Sequence, residues 1–553
     1  MKHHESFDVL IVGLGPVGAA LANLLGRYGI AVLAIDKAAG IFMAPRAIAL
    51  DNEALRVLQM CGLAEGDLDT VAIPEVRMRS PLFGQYSRAV TAGALDGHPK
   101  LVTFYQPQLE TVLRRRLADL PSVHVELGVE LKSFEQSAAG VAALLRTSEG
   151  QERRIAARYL VGADGANSLV RQRLGQEFKG KTYAEDWLVV DGRRAPLPID
   201  HVEFICDPAR PTPHMVAPGD RQRWEFKLRP GETREQMEHP DTVRRLLQPW
   251  SHGQEIEIER VAVYRFHARV AHTFQVGHAF LVGDAAHITP PFVGQGLVAG
   301  LRDVANLAWK LAWVIRGQAR EDLLSTYTQE RQPHVRAMIQ LAQLMGRLVM
   351  PGNTLTAFVT HGSMKLLSRV PRLRRLFENL EIKPANRFKS GCFTPRARHA
   401  RLCRGGQLPQ VWVRSGASGE LKLSDDAIGQ GFALVGFGVD PTPGLRPEEK
   451  RAWQAAGGTI VRIDARGQCL CPARAGSWED LAGALVPHQA PTGWVAVVRP
   501  DKVVMHDGPA ELVGDLVRRS LALFSPFGIA DSRSSQVVSV MSEEPDVAAT
   551  ARH

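Results

Sequence analysis

Phe7-Asp8-Val9-Leu10-Ile11-Val12-Gly13-Leu14-Gly15-Pro16-Val17-Gly18 begins the stretch on which the fold turns, and Ile30 to Asp36 completes it. Residues 7–12 are an apolar run of strand length. Glycines follow at once, and a helical pattern continues to about Tyr28. Ile30 to Ile35 is a second apolar strand, ending on Asp36. Strand, glycine turn, helix, strand and terminal acid form one βαβ unit of roughly 30 residues. Each glycine has a reason. Gly13 permits the tight turn, Gly15 lets backbone approach a pyrophosphate, and Gly18 lets the helix pack on the strand. The helix N-terminus, opening at Pro16, offers free N–H groups and a favourable dipole to that anion. Asp36, with Lys37 beside it, is placed to accept ribose hydroxyls. The same segment is apolar enough to raise the question of a signal peptide or membrane span. Asp8, Gly13, Gly15, Pro16 and Gly18 interrupt it, which a dinucleotide turn explains and a span does not.

Two later segments repeat the strand-then-acid pattern. Tyr159 to Val161 leads into Gly162-Ala163-Asp164-Gly165, with a helix start at Asn167-Ser168. As good cap residues, Asn167 and Ser168 allow Asp164 to belong to an ordinary helix entry instead. Ala279-Phe280-Leu281-Val282 leads into Gly283-Asp284, then Pro290-Pro291-Phe292-Val293-Gly294-Gln295-Gly296 and a long helix. That helix N-terminus suits the negative edge of a reduced flavin ring. His287 is read as a structural histidine. One glycine fingerprint fits many NAD enzymes. The fingerprint plus two further strand ends near 164 and 284 suits a longer ligand with a second half to hold, and FAD has that shape.

The whole chain has 553 residues, room for about three or four domains. Its 67 Lys+Arg against 58 Asp+Glu give a net charge of +9. The cations are scattered, with no block interleaved with aromatics, so small anionic ligands are expected and nucleic acid is not. Arg372, Arg374 and Arg375 are read as a solvated helix face. Six cysteines, sparse and without C-x-x-C or zinc spacing, indicate a reducing compartment and no metal site. With no second candidate span, a cytoplasmic location is expected. The fold class is α/β: a discontinuous Rossmann-like FAD-binding domain (1–75, 100–180, 265–335) with an inserted β-sheet substrate domain (76–99, 181–264). A helical connection (336–395) leads to a C-terminal α/β domain (396–553), with a boundary near Arg396 to Gly406 and a loose tail at 541–553.

At these residues the sequence resembles the flavoprotein aromatic hydroxylases, single-component FAD monooxygenases. The glycine triplet at 13–18, the Asp164-Gly165 segment and the Gly283-Asp284 segment are that family's three motifs in its order. Residues 6–390 carry the resemblance. Pro45-Arg46-Ala47-Ile48, Phe104-Tyr105-Gln106-Pro107-Gln108 and Cys206-Asp207-Pro208 are similar to the branch acting on 3-hydroxyphenylpropionate-like acids. So are Pro230-Gly231-Glu232-Thr233 and Asn306-Leu307-Ala308-Trp309-Lys310-Leu311-Ala312. The tail domain is similar to the thioredoxin-like C-terminal domain of the phenol hydroxylase branch. It lacks the redox cysteines, which implies a structural or oligomerisation role, with a homodimer as the form to test.

The resemblance implies that Arg46 and Gln106 contact FAD and that Asp164 lies near the pyrophosphate and the NAD(P)H path. It further implies that Asp284 binds the ribityl chain and that Pro291, Gly294, Gln295 and Gly296 face the ring. NADH or NADPH is the implied transient electron donor, O2 the oxidant and a phenolic aromatic compound the substrate. Val298 departs from the family, which often has Asn there. For activating the phenol, the candidates are Arg223 and Glu225 on a strand at 223–227, and Tyr264 and His267 on a strand at 261–268. Arg223 or Arg265 is the candidate cation for an aromatic acid. Two rival readings stay open: a reductase or halogenase on the same fold, against which the W-x-W-x-I-P motif is absent, and a flavin-free escort protein, against which Pro290 to Gly296 is intact.

Overall fold

The computed structural model describes residues 6–379, 382–394, 400–468 and 476–526. Arg396, Cys469, Cys471 and the tail at 541–553 lie outside the described residues.

The βαβ unit forms as expected: strand Ser6–Val12, helix Pro16–Arg27, strand Val32–Asp36. Five parallel strands run side by side in the order Val123–Leu127, Val32–Asp36, Ser6–Val12, Glu152–Gly162, Ala279–Leu281. Val9, Leu10, Ile11, Leu33 and Ala34 are wholly buried, so these strands read as continuous apolar runs rather than alternating ones. Helix Gly296–Ile315 packs beside the first helix. The approach is close enough that a Cβ on Gly300 would stand 2.6 Å from Val17 Cγ2. Parallel pairing brings the strand ends together. The Gly13 N–H donates to the Ile35 carbonyl at 2.8 Å, Ala163 to Val12 at 2.8 Å, and Val282 to Gly162 at 3.0 Å. The turns at 13, 163 and 283 are therefore neighbours on one edge of the sheet, where ligands of doubly wound folds bind.

A second sheet of eight strands is built around the long antiparallel pair Phe178–Arg193 and Glu257–Ala271. Alternation along Arg221–Lys227 decides its two faces. Trp224 and Phe226 pack under Val243, Leu247 and Trp250, while Arg223 and Glu225 turn the other way. The stretch expected as β-rich also holds two helices, Arg234–Glu238 and Pro240–Ser251. A capping box of Thr233 with Gln236 starts the first, and Pro240 starts the second. Beyond it, Thr326–Val349, Thr354–Leu367 and Pro371–Glu378 are helical.

The C-terminal sheet has seven strands. Phe432–Phe437 and Gly458–Asp464 are parallel, joined through helix Pro447–Ala455. Trp494–Val498 and Val504–Pro509 add antiparallel on the other side, followed by helix Val513–Phe524. That order is thioredoxin-like. Among the described residues no helix is long and apolar enough to cross a membrane.

Candidate functional site

Where the three strand ends meet, a cavity of about 760 Å³ opens and continues across to the second sheet. Gly13, Gly15, Pro16, Asp36, Lys37, Arg46, Gln106, Asp164, Asp284, Pro291, Gly294, Gln295 and Gly296 all line it. Gly18 and Gly283 do not. A Cβ on Gly18 would lie 1.9 Å from the Gly13 carbonyl oxygen, and Gly283 sits at φ +57 with Val17 against it, so both serve close packing behind the wall.

Two glycines show that the wall is shaped for a guest. Gly13 is required by the protein itself, because its φ is +99 and a Cβ would stand 2.5 Å from the Ala163 oxygen. Gly15 and Gly296 have no such need: neither has a positive φ, and a Cβ on either would meet nothing within 4 Å. Each opens a helix that lacks a side-chain cap, whereas Asp51, Ser168, Thr233 and Asn353 cap others. Uncapped first-turn N–H groups beside an open cavity are anion sites. Two carboxylates supply the acceptors. Burial raises the pKa of Asp164; its Oδ2 accepts from Val170 N–H at 3.2 Å, and its Oδ1 is buried without a partner. Burial also raises Asp284, against the opposing pull of His287 and Arg46. Donors from ligand hydroxyls would offset the cost of that burial. The residues present thus fit FAD: the Gly15 helix end for the pyrophosphate, Asp36 and Asp284 for hydroxyls, the Gly294–Gly296 turn for the ring.

The entry loop is pinned from both sides. Gln106 Oε1 accepts from the backbone N–H of Arg46 and of Ala47, both at 2.9 Å. Arg223 donates to the carbonyls of Pro45 and Arg46 at 2.9 Å while gripping Asp191 at 2.6 Å. Asp36 holds the glycine turn, accepting from Leu14 N–H at 2.8 Å. Arg114, bonded to Glu110 at 2.7 Å, lies beside it. Neither Arg114 nor Glu110 was among the sequence candidates, yet both line the cavity.

The four candidates for phenol activation separate. Arg223 and Glu225 line the cavity; Tyr264 and His267 do not. The Tyr264 hydroxyl accepts from Arg260, which itself binds Asp191 at 3.0 Å, so it acts behind the Arg223 grip. His267 contacts Thr182 at 3.1 Å. Arg265 is exposed and paired with Asp186 at 2.7 Å. Glu225 is buried at the wall and its pKa is raised by that burial, against the pull of Arg223. His287 is structural: its Nε2 is 2.6 Å from Asp303 Oδ2.

Sequence reasoning missed one cluster. Asp51 Oδ2 accepts from Arg302 at 2.6 Å and from Lys383 at 2.7 Å, and Arg302 also donates to Gln295 Oε1 at 2.8 Å. This fixes the ring-facing turn from below. The available signal was Arg302-Asp303 inside a mostly apolar helix.

A dinucleotide cradle joined through one cavity to a second sheet defines an FAD-dependent oxidoreductase of the aromatic-ring monooxygenase class. Residues 6–342 match the FAD binding domain family, to which the chain belongs, and residues 405–523 match the HcaD C-terminal domain family. The chain is 36% identical to the 3-(3-hydroxy-phenyl)propionate/3-hydroxycinnamic acid hydroxylase of Comamonas testosteroni, over 90% of this chain and 94% of that protein. To the enzyme of the same name from Shigella sonnei it is 37% identical, over 83% of each. Two solved structures share the fold. They are the flavin-dependent monooxygenase PieE with FAD and substrate (TM-score 0.75, 22% identity, 94% of this chain and 99% of that one), and aklavinone-11 hydroxylase with FAD and aklavinone (TM-score 0.73, 23% identity, 94% and 100%).

Proposed function

We propose that this enzyme uses NADH or NADPH and O2 to hydroxylate a phenolic ring, with a 3-(3-hydroxyphenyl)propionate-like acid as substrate. One observation carries the reading. The cavity that begins at the glycine turn ends in an apolar chamber walled by Met78, Phe204, Met215, Phe292 and Met345, with Glu225 as its buried carboxylate. The relatives' names supply the substrate class. Bound FAD supplies electron transfer and oxygen activation. The chain's own part is to bind the flavin through the 13–18 and 291–296 turns, keep water from the ring with the apolar wall, and take the phenol proton. Glu225 is the base we assign to that last step. Asp164 and the open edge beside it are the proposed approach for the nicotinamide. Cys61, Cys206, Cys392 and Cys403 are free thiols, which supports a reducing, cytoplasmic setting. The domain division given above is the one we propose, with the two long strands of the second sheet crossing its 180 and 265 limits.

A panel of meta-substituted phenolic acids tests the reaction. We expect NAD(P)H oxidation and oxygen uptake to accelerate with the right acid and the product to gain one oxygen atom. Flavin-replete enzyme that ignores the whole panel would overturn the substrate assignment. Glu225→Gln should keep its yellow colour and lose about a hundredfold or more in ring hydroxylation. Peroxide made in place of product would show the flavin still working while the phenol goes unactivated. Unchanged product formation would remove Glu225 from this role.

A further inference from the structure

Helix Thr354–Leu367 is apolar on two opposite faces. At about 100° per residue, Ala357, His361 and Met364 share one face, and all three are buried. His361 stacks on Tyr86 with ring centroids 4.5 Å apart. Met364 joins Met78 and Phe292 in one apolar cluster, and those two residues line the cavity. The opposite face holds Leu355, Phe358, Val359 and Leu366, at 73%, 56%, 57% and 62% exposure. Exposed Leu367 and Val370 extend the apolar surface. A surface helix ordinarily turns a polar face to water. This one does not.

Along the chain on either side of it the charges are mostly positive, with Glu378 at the end of the next helix as the nearest acid in sequence. From residue 337 to 377 there is no Asp or Glu, while Arg347, Lys365, Arg369, Arg372, Arg374 and Arg375 give six cations. Arg374 is paired with Glu378 at 3.3 Å. Arg347, Arg369 and Arg372 have no acidic partner among the described residues, and all three are exposed.

We infer that this face docks on the surface of an anionic lipid bilayer, lying in the interface without crossing it. Apolar residues on one side and a flanking set of Lys and Arg are what such binding needs: the first enter the acyl boundary, the second meet lipid phosphates. At 14 residues the helix is too short to span. A second copy of the chain is the poorer occupant. A two-fold contact places a patch against itself, and here that would bring the six cations towards six more. Docking also has a geometric consequence. The helix that touches lipid is the one whose Met364 packs behind Met78 and Phe292 of the cavity wall, so a ring compound dissolved in the bilayer would lie one packing layer from the chamber.

Flotation of the purified, flavin-loaded full-length enzyme with vesicles tests this. With phosphatidylethanolamine–phosphatidylglycerol vesicles at low salt, we expect the protein to float. With phosphatidylcholine alone it should stay behind. The combined change Arg369→Glu, Arg372→Glu, Arg375→Glu should cut the bound fraction about tenfold or more, as should Leu355→Ser, Phe358→Ser, Leu366→Ser, with flavin absorbance retained in both. Wild-type protein that fails to float with anionic vesicles would overturn the inference, as would equal flotation of the charge-reversed form. So would light scattering that finds a dimer dissolved by the serine variant in protein that never floats, since the face would then belong to a second copy.

Discussion

Gly15 and Gly13 are two residues apart and do different work, and that difference can be measured. Gly13 answers to the chain: its φ of +99 and the Ala163 oxygen 2.5 Å from a built Cβ leave no room for a side chain. Gly15 answers to the ligand, because its backbone is ordinary and its Cβ would point into open space. Gly15→Val should therefore fold, with far-UV circular dichroism like the parent's, and emerge from purification without flavin. Gly13→Ala should lose fold and flavin together. A yellow Gly15→Val protein would show that no bound group comes close to this turn, and the assignment of the pyrophosphate there would fail. Sequence alone could give both glycines their place in the motif. It could assign Gly13 to the turn and Gly15 to the ligand, but not name what crowds Gly13, because that is a loop 150 positions further along (163 against 13).

Helix Gly296–Ile315 shows where legibility ends among elements. Its length and its glycine start are local signals, and both read correctly. What it carries in its middle is not local. Arg302 meets Asp51, Asp303 meets Arg331, and Lys310 meets Glu330, which in turn meets Arg499 at 2.9 Å. Each partner is set by the fold, so a charged residue in an apolar helix announces only that some partner exists. The two helices at 234–251 are a different case: the Thr233–Gln236 capping box starts one and Pro240 the other, local signals that the β-rich reading of this stretch passed over. The Glu330 cluster is open to test. Burial pushes the Glu330 carboxyl up, but Arg499 and Lys310 outweigh it and hold its pKa down to about 2, against an ordinary 4.5. A carboxyl whose folded pKa is depressed adds stability that is complete above its unfolded value and is lost as pH falls towards the folded one. Glu330→Gln should cost about 3–5 kcal/mol near neutral pH, because it strands buried cations. In denaturant unfolding the gap from wild type should shrink as pH drops from about 4.5 towards about 2. A gap that stays constant over that range would show that the charge of Glu330 is not what stabilises the cluster.

At the scale of the molecule, the C-terminal domain is bolted to the flavin domain. Phe432 inserts its ring between Trp309 and Trp313, at centroid distances of 5.4 and 5.7 Å, and stacks on Phe524 at 4.3 Å. Two buried ion pairs cross the same boundary: Arg56 with Asp425 at 2.6 Å, and Arg499 with Glu330. Both Trp309 and Glu330 belong to the helical layer behind the ring-facing turn. An interface of this kind, apolar at its centre and closed by paired charges, leaves little reason for either half to open alone. Heating should give one transition, with flavin release, read by its fluorescence, coinciding with loss of β and α signal by circular dichroism. Phe432→Ala removes the central ring and should cost about 3–5 kcal/mol, moving both signals down in temperature together. If the C-terminal half instead melted first while flavin stayed bound, the two domains would be independent folding units. The thioredoxin-like part would then be an appendage rather than a support for the site.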